Sequence, residues 1–149
     1  METKKAAFED LPQILDLQKL AYFSEAKLVN DYSIPPLTQT LTELQSEFEK
    51  SVILKLTDEK NKIIGSVRAH EENDRVYIGK LIVHPDYQNK GFGTNLLKTI
   101  ETFFGEKTFE LFTSSKSERN LYLYKKHGYK EYKRKSITED YDIVFLEKN

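Results

Sequence analysis

No cysteine occurs in the 149 residues, which excludes disulfides, thiolate metal sites and a cysteine acyl-enzyme. Histidine is scarce: His70, His84 and His127 stand far apart with no ligand spacing, so no metal site is expected. Charge of neither sign predominates. The formal net charge is −1, too small to create the basic field that draws a protein onto nucleic acid. No apolar run approaches the roughly 20 residues that span a bilayer. The first residues, Met1-Glu2-Thr3-Lys4-Lys5, lack the hydrophobic core of a secretory signal. A soluble cytoplasmic protein is therefore expected, with neither nucleic acid nor membrane as partner. The length suits one domain spanning residues 1–149.

What is present reads as alternating strands and helices. A short strand over residues 2–6 leads into a helix from Asp10 to Phe23, where Leu11, Ile14, Leu15 and Leu17 recur at helical spacing. Asp10 is the expected N-cap and Pro12 falls in the first turn, where its missing N–H costs nothing. Pro35 and Pro36 predict a loop from Asn30 to Thr38, ahead of a helix from Leu41 to Lys50. Strands follow over Ser51–Thr57, Ile63–His70 and Val76–Val83, then a helix from Gly91 to Phe104 whose Leu96, Leu97, Ile100, Phe103 and Phe104 share one face. A buried strand over Phe109–Thr113, a helix over Arg119–His127 and a hairpin of Tyr129–Ile137 with Tyr141–Glu147 complete the chain. His84, before Pro85, reads as a turn residue. His127 ends a helix, where an imidazolium would favour the dipole.

Gly91 and Gly93 sit in a polar loop that joins the apolar strand ending at Val83 to an amphipathic helix. Glycine tolerates the left-handed backbone in which successive N–H groups converge on an anion, and the helix start adds its dipole to the same point. A Walker A loop ends in Gly-Lys-Ser/Thr, whereas here Lys90 precedes Gly91. A dinucleotide fingerprint needs a third glycine where Leu96 stands. The pattern Gln88-x-x-Gly91-x-Gly93, after Ile82-Val83-His84-Pro85, resembles instead the acetyl-CoA loop of the GNAT family of N-acetyltransferases. Three further stretches resemble that family in the right order. They are Glu9 to Leu17 as its first helix, Lys62-Ile63-Ile64-Gly65-Ser66-Val67 as its third strand, and Leu121 to Tyr129 as its motif B, a helix ending at glycine before an aromatic.

The resemblance implies an α+β fold of α/β-sandwich character, with a central mixed, mostly antiparallel sheet of about seven strands flanked by about four helices. It implies acetyl-CoA as co-substrate. The main chain of Leu81, Ile82 and Val83 would hold the pantetheine arm, and the strand would carry a bulge, with Gly79 its expected place. Gln88, Asn89, Lys90, Gly91, Phe92, Gly93 and Thr94 would cradle the pyrophosphate. Tyr124, four residues before Gly128, matches the tyrosine that protonates the departing thiolate, and a phenol of pKa about 10 suits a thiolate of about 8.5. The residues alone favour reading Tyr124 as an aromatic packed beside Tyr122 and Tyr129; the acid role comes from the motif. Where the family carries asparagine seven residues before that tyrosine, Ser117 stands here, able to cap the helix, which leaves Asn120 for the side-chain contact to pantetheine.

An acceptor amine of pKa about 10.4 is neutral only about once in 2,500 molecules at pH 7, so a base is needed. Glu71, Glu72 and Asp74, working through water, are the sequence candidates. Tyr22, Tyr32 and Leu37, with Phe23 and Ile34, are expected to wall the acceptor site. The leading expectation is an acetyl-CoA-dependent N-acetyltransferase acting on a primary amine of a small molecule by direct attack in a ternary complex. Its alternatives are a transferase specific for a protein amine and a non-catalytic acyl-CoA-binding sensor. A homodimer formed by pairing of the terminal strand is compatible with each.

Overall fold

The computed structural model describes all residues, Met1 to Asn149. Seven strands form one sheet: β1 (Glu2–Lys5), β2 (Val52–Thr57), β3 (Ile63–Glu72), β4 (Arg75–Val83), β5 (Thr108–Ser114), β6 (Lys130–Ser136) and β7 (Asp142–Lys148), in the order β1-β2-β3-β4-β5-β7-β6. Every pairing is antiparallel except β4 with β5. The helices are α1 (Leu11–Val29), α2 (Pro35–Thr38), α3 (Leu41–Lys50), α4 (Phe92–Glu101) and α5 (Glu118–Lys126). Four of them run nine residues or more, and α2 is a single turn.

Both faces of the sheet are covered, which is why β3 is buried without interruption from Ile63 to Ala69. Ile53, Ile63 and Ile82 pack with Leu11, Ile14, Leu17 and Leu44 under α1 and α3. Leu54, Ile64, Val67 and Val76 face Leu96, Leu97 and Ile100 of α4 on the other side. Each of those fully buried aliphatic side chains is worth about 1.5–3 kcal/mol over an exposed one. Gly65 sets how closely α4 docks: a Cβ there would lie 3.0 Å from Leu96 Cδ1 and 3.2 Å from the Ile82 carbonyl oxygen. The glycine of the Lys-Ile-Ile-Gly run is thus a packing requirement, and it brings the start of α4 over the end of β4.

Three local expectations are corrected. Helix α1 runs on past Phe23 to Val29 because Ala26 and Val29 are also buried, and it stops at Asn30, left-handed at φ 53°, whose N–H bonds Ala26 and Lys27. Pro35 and Pro36 open a helical turn, where their missing N–H groups are not needed, rather than forming a loop. Asp10 occupies the N-cap position of α1 without capping it. A 3-10 turn, Phe8–Asp10, runs straight into the helix, and the Asp10 carboxylate accepts from the Ala7 N–H at 2.7 Å and from Lys55 Nζ at 2.7 Å. The terminal strand is also not an edge: β7 lies between β5 and β6, so both of its edges are paired within the chain. The free edges are β1 and β6, and every residue of β6 is exposed, with Lys130, Lys133, Arg134 and Lys135 among them.

Candidate active site

Strand β4 pairs with β5 only over Arg75–Tyr77 against Thr108–Glu110, after which the two strands part. Arg75 pins the narrow end by bonding both Glu110, at 2.7 Å, and Glu147. Beyond it the β5-facing edge of β4 has no partner strand. The N–H of His84 bonds the Ile64 carbonyl at 2.7 Å, so by strand alternation the Ile82 peptide groups face β3 and those of Leu81 and Val83 face the open slot. The register with β3 jumps from Ser66–Ile82 to Arg68–Gly79, placing Lys80 and Leu81 opposite Val67 alone. This is the β-bulge, and its left-handed residue is Lys80, at φ 51°, one position after the expected Gly79. A lysine there bears about 1–2 kcal/mol of backbone strain that a glycine would not.

The slot opens onto the loop after β4. His84 Nδ1 accepts the Asp86 N–H at 3.1 Å, closing the turn as expected of a turn residue. Asn89 and Gly91 are left-handed, at φ 63° and 84°, and α4 starts immediately afterwards with no side chain capping its first turn. The leading N–H groups of Phe92, Gly93 and Thr94 therefore remain available to an anion. A cavity of about 210 Å³ is lined there by Leu81, Val83, Gln88, Asn89, Gly91, Phe92, Gly93, Thr94 and Asn120, with Arg119 at its side. Ile82 points away, into the core under α1. Lys90 is exposed and lies over the Tyr87 ring at 5.7 Å, outside the cavity wall. Gln88 joins the parts: its Nε2 donates to the Val83 carbonyl at 3.2 Å and its Oε1 accepts from Arg119. The Thr94 hydroxyl lies 3.2 Å from His127 Nε2. Burial, with Lys98, Lys126 and Lys148 nearby, holds that imidazole below its usual range, which favours a neutral ring in place of the expected imidazolium.

A second cavity of about 340 Å³ lies beyond the bulge, and Leu81 and Asn120 line both chambers. Its walls come from α1 (Tyr22, Glu25, Val29), the turn at Ile34–Pro36, the bulge, the end of β5 and the β6–β7 connection at Ile137 and Tyr141. Tyr124 reaches it from α5, 5 % exposed. Burial, with Tyr22 and Glu25 adding to it, drives the Tyr124 phenol well above its ordinary range. The Tyr22 phenol moves the same way through burial, in spite of Arg68. Asn120 Nδ2 donates to Thr113 Oγ1 at 3.2 Å, which fixes it at the junction of the two chambers.

The structure separates other residues from this site. Tyr32 is half-exposed and packs on Phe23 at 5.3 Å between ring centres, and neither it nor Leu37 lines the cavity. Glu71 and Glu72 end β3 and Asp74 lies in the turn before β4, where Lys107 bridges Glu71 at 3.1 Å and Asp74 at 3.0 Å. The carboxylate that does line the cavity is Glu25, which sequence reading missed by ending α1 at Phe23; its spacing of three from Tyr22 on a longer helix was the available signal. Ser117 stands at the N-cap position of α5 but donates its hydroxyl to Glu25 Oε1 at 3.0 Å instead of capping. Lys80 and Arg68, both near the bulge, carried no sequence signal.

Among proteins of known sequence, YqkA of Bacillus subtilis (strain 168), a UPF0157 protein, is 26% identical over 120 residues, 80% of this chain; the chain spans about a third of that relative, the match covering 34% of it. Among solved structures, the PaiA N-acetyltransferase of Thermoplasma acidophilum in complex with coenzyme A superposes with a TM-score of 0.79 at 17% identity, covering 97% of this chain and 96% of that one. The ribosomal-protein-S18-alanine N-acetyltransferase of Escherichia coli gives a TM-score of 0.80 at 19% identity over 99% of this chain and 92% of that one. At these TM-scores both share the fold of this chain. The sequence model of the Acetyltransferase (GNAT) family matches residues 11–129, from the first turn of α1 to the tyrosine that follows Gly128, and the chain belongs to that family.

Proposed function

We propose that the protein transfers an acetyl group from acetyl-CoA to a primary amine of a small molecule by direct attack in a ternary complex. The observation that carries this reading is the junction at Leu81, Asn120 and Tyr124, where a slot suited to the donor meets a closed chamber suited to the acceptor. The pantetheine arm would pair with the unpaired β4 edge at Leu81 and Val83, as an added strand does. The pyrophosphate would take the N–H groups following Gly91. In the acceptor chamber Glu25 is the group placed to accept the amine proton, directly or through a water. The neutral nitrogen then bonds the thioester carbon, the C–S bond breaks, the Tyr124 hydroxyl gives its proton to the sulfur, and the proton shed by the acylated nitrogen restores the phenol. Burial raises that phenol above its ordinary range, so its proton is in place when the thiolate forms. The walls at Ile34–Pro36 and at Ile137 and Tyr141 bound a chamber of about 340 Å³, which supports a small acceptor.

Thiol release from acetyl-CoA with pooled amines, for the native chain and Tyr124→Phe, tests the proposal. Amine-dependent release that the variant largely loses supports it. Tight coenzyme A binding without release across small amines and peptides would overturn it in favour of a cofactor sensor.

A further inference from the structure

The bulge places a lysine side chain that no carboxylate of the protein pairs with directly. Lys80 lines the acceptor chamber and also an adjoining cavity of about 300 Å³, the two sharing Ile78, Gly79 and Phe112. Its Nζ makes no hydrogen bond or ion pair; burial, with Arg68 close by, holds it below the usual lysine range, against a weaker opposing effect of Glu47. The two carboxylates in reach of these cavities are already engaged. Glu47 bonds Arg68 and, at 3.0 Å, Gln39 Nε2, and Glu25 accepts from Ser117. Around the adjoining cavity Lys50, Arg68 and Lys80 stand against Glu47 alone, with His70 at the rim. Arg68 is 6 % exposed and its Nε has no partner. Arg68 is paired with Glu47 and Gln18, whereas the partly buried Lys80 has no carboxylate of its own, so an anion entering these cavities would supply its counter-charge.

We propose that Lys80, backed by Arg68, forms an anion subsite that selects acceptors carrying a carboxylate together with the amine. Building on the transferase reading, it narrows the acceptor class to small aminocarboxylates and disfavours diamines and polyamines, whose second ammonium would face Lys80. The bulge gives the subsite its place. One residue of the same strand aims a side chain at the acceptor's acid end, while its neighbour Leu81 faces the donor slot.

The test uses unbranched ω-amino acids of two to five methylenes, their carboxamides and the matching diamines, with the full chain and its Lys80→Met and Lys80→Arg variants. The expected result is a kcat/KM at least tenfold higher for one acid than for its amide in the native protein. Lys80→Met should bring the pair within about twofold by lowering only the acid's value, and Lys80→Arg should keep part of the preference. Equal rates for acid and amide in the native chain, or a preference that survives in Lys80→Met, would overturn the subsite. Calorimetry of the same compounds on protein saturated with coenzyme A separates the two readings. Acid binding that Lys80→Met abolishes, without thiol release, keeps the subsite and overturns the transferase. Release without acid-selective binding does the reverse, and neither signal overturns both.

Discussion

Tyr124 illustrates how one side chain takes its role from its surroundings. Its phenol is ordinary in sequence, but burial disfavours the phenolate and moves the proton's loss above the usual value near 10. Removing the hydroxyl in Tyr124→Phe should lower kcat by about 100-fold and leave KM for acetyl-CoA within about threefold, since the ring still packs. For the native chain, kcat measured from pH 6 to 10 should rise as the amine loses its proton and show no fall near pH 10, because a raised phenol pKa keeps the acid form. A falling limb centred at 10 that Tyr124→Phe abolishes would instead mean that the phenol titrates normally. Asp10 shows the opposite shift. Burial would raise its carboxyl, but hydrogen bonds from Lys55 and the Ala7 N–H outweigh burial and hold it below the usual range. A depressed folded value means that its stabilisation is present above about pH 4, the unfolded value, and is lost as pH falls through the lower folded one. Asp10→Asn should therefore cost about 1 kcal/mol at pH 7, read as a lower urea midpoint, and the difference should fade toward pH 2.

Between elements, the Arg68 network joins the helices to the sheet. Arg68 on β3 bonds Gln18 of α1 and Glu47 of α3, while Gln18 Nε2 reaches the Pro36 carbonyl and Gln39 Oε1, both at 2.9 Å. The acceptor chamber is therefore shaped by helices held on one guanidinium. Arg68→Met would leave Gln18 Oε1 without its donor and Glu47 with Gln39 alone, and because Glu47 is 40% exposed the loss should be about 2 kcal/mol rather than the 3–5 of a fully buried pair. Chemical denaturation would show it as a lower midpoint with an unchanged slope. In the same way the Arg75 clamp with Glu110 and Glu147 sets where β4 and β5 stop pairing, and so where the slot begins.

Ligand binding should stabilise the fold as a unit, because the donor slot is built from β4, α4 and α5 together. Coenzyme A at about 100 times its Kd adds about 2.7 kcal/mol, which for a chain of this size raises Tm by about 5–10 °C. Gly91→Val, which forces a β-branched residue into a backbone at φ 84°, should lower Tm without ligand and lose most of that shift, as followed by thermal denaturation with and without coenzyme A. A full shift in the variant would place the pyrophosphate elsewhere.

Local chemistry was legible in the linear chain. The Gly91-Phe92-Gly93 loop and the periodic Leu96, Leu97 and Ile100 each depend on neighbours a few residues away, so spacing alone reveals them, whereas Tyr124 before Gly128 stood out only through the family resemblance. What required the folded chain depends on distant segments meeting. Glu25 reaches the chamber because α1 is lengthened by burial of Ala26 and Val29, and the strained bulge residue is Lys80 because β3 and β4 slip in register there. Glu71 and Asp74 are turned toward Lys107 at the far end of β4, and Glu72 toward His70. The glycine loop after β4 follows from the linear chain, since its backbone conformation depends on glycine and helix pattern; the lining of the second chamber follows from the fold alone, because no short-range rule records which side chains converge across a sheet.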